Sequence, residues 1–234
     1  EILIPSSPLL SMQEYTAFVQ GMIKQIGMNS TEICGVVISS VVPRLTQPFT
    51  DVSQQIFHTD PIVVDHLLPI DLTIRYDDPA EVGADRICNA VAALERYNAP
   101  LIVVDMGTAT TFDVVSQKRE YLGGVIMPGL ETAGRDLFKR AARLPQVQFD
   151  FPKKIIGTYT HESLQAGLMW GTVDQIDGLI QRICREWKKQ AVTVIATGGL
   201  SEIIAPHSRY IQHVDKELTL FGMKYIYEQL RGDI

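Results

Sequence analysis

Residues 101–115, LIVVDMGTATTFDVV, constrain the fold more than any other stretch of the chain. Four apolar residues run straight into Asp105, and Gly107, Thr108, Ala109, Thr110 and Thr111 follow before Asp113. The pattern reads as a buried strand that ends in a carboxylate and empties into a loop of small and hydroxylated residues. Glycine at 107 lets backbone N–H groups come close to a ligand, and small neighbours keep that approach open. The hydroxyls of Thr108, Thr110 and Thr111 are donors, and Asp105 at the strand end can hold a cation or orient water. Together these groups suit a polyphosphate. The plainer reading of the same residues is a tight hairpin with a threonine-rich turn.

The flanking sequence alternates helix and strand. Residues 11–27 read as a helix, with a Ser11/Glu14 capping box and one apolar face from Met12, Tyr15, Phe18, Val19, Met22, Ile23 and Ile26. A buried strand over 33–43 stops at Pro43, a helix follows over 45–57, and 61–65 is a short strand. A Pro-opened helix spans 77–98 with Ile87, Val91 and Leu94 inward. After the strand at 101–105, residues 110–129 read as a hairpin running into a Gly-rich turn. Helices over 130–144 and 162–188, a strand over 191–200 ending in a glycine pair, and a helix over 217–231 complete the chain. The class is therefore α/β. The best internal boundary lies near Asn98–Pro100, which divides the chain into 1–98 and 99–234.

Composition narrows the possible functions. A net charge of −6 offers no basic face for non-specific nucleic-acid binding. No apolar run reaches the roughly 18–20 residues of a spanning helix, and no basic-then-apolar signal opens the chain. Cys34, Cys88 and Cys184 lack CxxC spacing and sit in apolar patterns, so they read as reduced core thiols of a cytoplasmic protein. The five histidines show no metal-binding spacing, so no protein zinc site is expected.

Three further segments carry candidate chemistry. "TGGL" (197–200) is a strand followed by Gly198 and Gly199, where a nucleotide can lie against bare backbone; a plain βα turn fits as well. "GGVIMPG" (123–129) reads first as a loop. "GADR" (83–86) sets Asp85 and Arg86 side by side in a first helical turn. An acid there complements the helix dipole, or else Asp85 is a general base and Arg86 an anion clamp. Gly167 and Gly171, four apart, suggest close helix packing, within the chain or at a subunit interface, and "RDLFKRAAR" (135–143) reads as a solvated basic face.

In order, "EVGADR", "DMGTATTFDVV", "YLGGVIMPGL", "ARLPQV", "GTYTHES" and "ATGGL" resemble the type III pantothenate kinases over nearly the whole chain, from "SSVVP" to "LTLFG". The resemblance implies the acetate/sugar kinase, heat-shock ATPase and actin superfamily, with two ribonuclease-H-like domains facing across a nucleotide cleft. It implies ATP-dependent phosphorylation of pantothenate with Mg²⁺ and a monovalent cation, K⁺ or NH₄⁺, in a cytoplasmic homodimer. On the family pattern Asp85 matches the proton acceptor within the pantothenate-binding segment Gly83, Ala84, Asp85 and Arg86, and Tyr76 and Thr160 match further substrate contacts. Asp105 matches the ligand of the monovalent cation, and Gly107 and Thr108 match the second phosphate segment. Gly198 and Gly199 match the adenosine-side loop.

The family opens with two strands enclosing a D-x-G-N-T phosphate loop, and none precedes "EILIPSSP". The first domain is thus expected to lack its opening strands here. The chain as written is expected to be inactive until about 25–30 upstream residues, two strands and their turn, are restored. A non-catalytic relative such as a Bvg accessory factor is the alternative, disfavoured by intact Asp85, Asp105 and Thr108. A superfamily polyphosphate phosphatase is argued against by "GADR".

Overall fold

Ser11 starts the first helix as its sequence requires. Its hydroxyl accepts from the Glu14 amide, and the Glu14 carboxylate accepts from the Ser11 amide at 2.7 Å, closing the capping box of α1 (Met12–Gln25). The computed structural model describes residues 10–141, 143–189 and 191–232, so "EILIPSSP" lies outside the described residues. The chain continues through β1 (Val37–Ile38), α2 (Pro43–Phe57), β2 (Ile62–Val63), β3 (Thr73–Ile74) and α3 (Ala84–Arg96). The hairpin strands β4 (Leu101–Met106), β5 (Ala109–Val115) and β6 (Glu120–Pro128) lead to α4 (Leu130–Arg140) and the long α5 (Thr160–Trp187). The last elements are β7 (Thr193–Thr197), α6 (Ser201–Ile204), β8 (His213–Val214) and α7 (Leu218–Arg231).

These elements gather into two compact units. The first comprises the described parts of Glu1–Asp71 and Thr219–Ile234 together with Asp77–Val91; the second comprises Leu72–Tyr76 and the described part of Ala92–Leu218. Both units are discontinuous in sequence, whereas the 1–98/99–234 division is a single cut. In the first unit β1 and β2 pair in parallel, and Tyr15, Ile23, Val52 and Ile56 form a core between α1 and α2. In the second, six strands run in the order β3-β6-β5-β4-β7-β8. The β4/β5 and β5/β6 pairs are antiparallel, and β4/β7, β3/β6 and β7/β8 are parallel, so the sheet is mixed. Alternate residues Ile102, Val104, Met106, Phe112 and Val114 pack on Met169, Val173, Ile176 and Ile180 of α5.

Several local expectations change. Pro43 does more than end a strand: it occupies the first turn of α2, where its missing N–H costs nothing. Pro79 opens only a single 3₁₀ turn, Pro79–Glu81, and α3 starts afresh at Ala84. Cys88 is buried and Cys184 half-buried, but Cys34 is exposed, so it is no core thiol. A Cβ at Gly167 would meet nothing within 4 Å, and one at Gly171 only the Gln175 side chain at 3.9 Å. Close packing at that glycine pair is therefore not met among the described residues of the chain. The basic face of α4 is balanced by Glu131 and Asp136, which pair with Arg135 and Arg140 one turn on.

Candidate functional site

In the second unit β4 lies between β5 and β7, and its parallel register with β7 sets Asp105 beside Thr197 where both strands end. Open α/β sheets bind ligands outside such carboxyl ends. Leu101 to Val104 are fully buried, which anchors the strand, while Asp105 is half-buried and Gly107 and Thr108 are exposed. The turn is the tight hairpin of the plainer sequence reading. Met106 pairs with Thr110, and the Gly107 amide donates to the Ala109 carbonyl at 3.0 Å. The Thr108 carbonyl accepts from the Gly129 amide at 3.1 Å and from the Thr132 hydroxyl at 2.7 Å, so the start of α4 fixes the turn. Of the three hydroxyls singled out in the sequence, Thr110 is buried and Thr111 donates to Asp113 at 3.4 Å. Thr108 is the one at the surface of the turn.

The glycine pair after β7 divides into two roles. Gly198 has φ +87°, and a Cβ there would stand 2.7 Å from Asp105 Oδ1 and from the Met106 amide nitrogen. Only glycine lets the chain leave β7 pressed against the end of β4. The Gly198 carbonyl accepts from the Ser201 hydroxyl at 2.7 Å, which closes the turn into α6. Gly199 is exposed, and a Cβ there would meet nothing within 4 Å. Asp105, Gly107, Thr108, Gly198 and Gly199 are therefore brought to one edge of one sheet.

"GADR" lies in the first unit as a helix start. The Ile87 amide donates to the Gly83 carbonyl at 3.1 Å, which makes Gly83 the residue before the helix and places Ala84 and Asp85 in its first turn. Asp85 Oδ1 accepts from the Arg86 amide at 2.8 Å and would lie 2.6 Å from a Cβ at 83. The carboxylate thus folds back over bare glycine, at the positive end of the helix dipole. Asp85 stays half-buried and Ala84 is buried, while Arg86 is only 5% exposed and already engaged within the protein. One turn on, burial pushes the Cys88 thiol up to about 12, with a Ser39 hydrogen bond opposing the shift.

Tyr76 belongs to the second unit, just past β3, with its ring 6.1 Å from that of Tyr121 and 3.5 Å from where a Cβ at Gly123 would stand. Thr160 is the exposed first residue of α5. The fold sets Tyr121 and Gly123 around Tyr76, and Asp113 behind Tyr121. Sequence reasoning gave Asp113 and Tyr121 no role and read Gly123 only as part of a loop, and the visible signal was an acid inside an apolar strand. Among the described residues no three His, Cys, Asp or Glu side chains come together as a metal cage. No helix there is long and apolar enough to cross a membrane.

The model of the type III pantothenate kinase family matches residues 4–182. A type III pantothenate kinase of Moorella thermoacetica is 45% identical over 217 residues, covering 92% of this chain and 85% of that protein. One from Shouchella clausii is 43% identical over 216 residues, covering 92% and 84%. Among solved structures, a Campylobacter jejuni protein assigned to the Baf family of transcriptional activators superposes with a TM-score of 0.59 at 22% identity, covering 90% of this chain and 89% of that one. That last likeness bears on the fold alone.

Proposed function

The chain belongs to the type III pantothenate kinase family, and from that premise we propose that it transfers the γ-phosphoryl group of ATP to pantothenate. The product is 4'-phosphopantothenate, and the step is the first of coenzyme A synthesis. The observation that carries the reading is the edge of the second sheet, where the Asp105 carboxylate, the exposed Gly107–Thr108 turn and the open Gly199 backbone stand side by side. Phosphoryl transfer asks a protein for positioning and charge neutralisation more than for covalent help.

In this reading Gly107 and Thr108 hold phosphate oxygens, and Gly198 and Gly199 give the adenosine side a surface of bare backbone. Gly83, Ala84, Asp85 and Arg86 form the pantothenate segment, with Tyr76 and Thr160 as further contacts. Asp85 accepts the proton of the primary hydroxyl of pantothenate as the hydroxyl oxygen bonds to the γ-phosphorus and the bond from that phosphorus to the bridging oxygen breaks, releasing ADP. The proton acceptor contributes about 10²–10⁴-fold. The half-buried Asp105, an oxygen donor held against Gly198, fits a hard monovalent cation, K⁺ or NH₄⁺. When bound, Mg²⁺ and a monovalent cation held by Asp105 would neutralise charge on the phosphate oxygens. The enzyme acts as a cytoplasmic homodimer, without nucleic acid or membrane.

The test is a coupled ADP-release assay on the full-length protein with pantothenate, with the product identified by mass spectrometry. ADP release that leaves pantothenate unmodified refutes the reading.

A further inference from the structure

The second sheet carries a buried carboxylate for which the mechanism above has no use. Asp113 lies in mid-strand on β5 and is fully buried, and its Oδ1 accepts from the Tyr121 hydroxyl at 2.7 Å. Its Oδ2 accepts from the Thr111 hydroxyl at 3.4 Å, and Thr111 is the cross-strand partner of Asp105. A carboxylate removed from water is costly unless hydrogen bonds replace its hydration, and a valine here would pack more cheaply.

The backbone is irregular at this point so that the contact can form. Asp113 pairs with Gly124 and Val114 with Gly123, but Val115 pairs with Tyr121, which leaves Leu122 as an extra residue. An unbroken register would set Leu122 opposite Val115 and turn Tyr121 to the other face of the sheet, because neighbouring side chains alternate. The bulge re-aims Tyr121 onto the face that carries Asp113. Gly123 absorbs the irregularity at φ +126°, a backbone that side-chain-bearing residues rarely adopt.

Tyr76 is the beneficiary. β3 pairs in parallel with β6, with Ile74 opposite Tyr121 and the Arg75 amide donating to the Tyr121 carbonyl at 2.8 Å. Two residues beyond Ile74, Tyr76 rests its ring on Tyr121 at 6.1 Å and faces the bare Cα of Gly123. Diagonal neighbours at this spacing lie within reach of aromatic side chains.

We infer that Asp113 and Tyr121 are positioning residues for pantothenate: Asp113 fixes the Tyr121 ring, and that ring and Gly123 fix Tyr76. The inference rests on the reading of Tyr76 as a pantothenate contact. It is tested by a double-mutant cycle on the full-length enzyme with Tyr121→Phe, Tyr76→Ala and the pair. Tyr121→Phe raises the KM for pantothenate about tenfold and leaves the KM for ATP within about twofold, since the buried hydrogen bond that fixes the ring is lost. In the Tyr76→Ala background it has no further effect on that KM, because its action runs through Tyr76.

Equal shifts in both KM values, additive effects in the cycle, or an unchanged pantothenate KM overturn the inference. If Tyr121→Phe does not fold by circular dichroism, Asp113→Val carries the same test, since it removes the acceptor of the Tyr121 hydroxyl. A wild-type enzyme inert toward pantothenate overturns the inference together with the reading beneath it. An unchanged KM in an active enzyme overturns the inference alone.

Discussion

Alanine substitutions at the neighbouring glycines 198 and 199 have opposite expected consequences. At Gly198 a methyl group would sit 2.7 Å from Asp105 Oδ1 and from both the amide nitrogen and the carbonyl carbon of Met106, on a backbone at φ +87°. Left-handed backbone costs a residue with a Cβ about 1–2 kcal/mol. Met106 ends the strand that pairs with β5 and β7, so it has nowhere to retreat, and such overpacking adds about 1–3 kcal/mol. The sum is about 2–5 kcal/mol, which at about 2–4 °C per kcal/mol for a chain of this size lowers Tm by about 4–20 °C. At Gly199 a Cβ meets nothing and φ is ordinary, so stability changes by less than about 0.5 kcal/mol. The new methyl group instead enters the surface assigned to the nucleotide, and the KM for ATP rises about fivefold or more, as expected when a ligand loses close approach to backbone. Scanning calorimetry and initial-rate kinetics on the two variants decide the matter. A Gly198→Ala protein that melts within about 2 °C of wild type refutes the packing argument. A Gly199→Ala enzyme with normal ATP kinetics refutes the placement of the nucleotide.

Other expected outcomes are independent of these. Asp85→Asn lowers kcat by about 10²-fold or more while ATP still binds, measured by turnover and by nucleotide titration; near-normal turnover removes Asp85 from the mechanism. Asp105→Ala abolishes activation by K⁺ and raises the KM for ATP, and unchanged K⁺ dependence contradicts the cation assignment. Because burial pushes the Cys88 thiol up to about 12, it is neutral at about pH 8, and iodoacetamide there modifies the exposed Cys34 and leaves Cys88 untouched until the protein unfolds, as read by peptide mass spectrometry. Light scattering gives about twice 26.1 kDa if the chain is a homodimer, and a monomer at micromolar concentration rejects that assembly.

What the sequence determined by itself is what local physics controls. The capping box of Ser11 and Glu14 starts α1 with no help from the rest of the chain. Four apolar residues before Asp105, with glycine and threonine after it, suffice for a buried strand and an exposed turn. The family motifs are legible for the same reason, since each is a short run whose spacing survives without coordinates. Tertiary structure decided whatever depends on a neighbour distant in sequence. The two-residue strands β3 and β8 exist only because β6 and β7 pair with them, and two residues carry no periodicity to read. Alternation alone assigns Tyr121 to the wrong face of its strand, and only the register against β5 reveals the bulge that turns it toward Asp113. In the sequence Gly198 and Gly199 are equivalent; the end of β4 makes one indispensable and leaves the other open. A side chain's face, partner and exposure are properties of pairing and packing, and those arise only when distant segments meet.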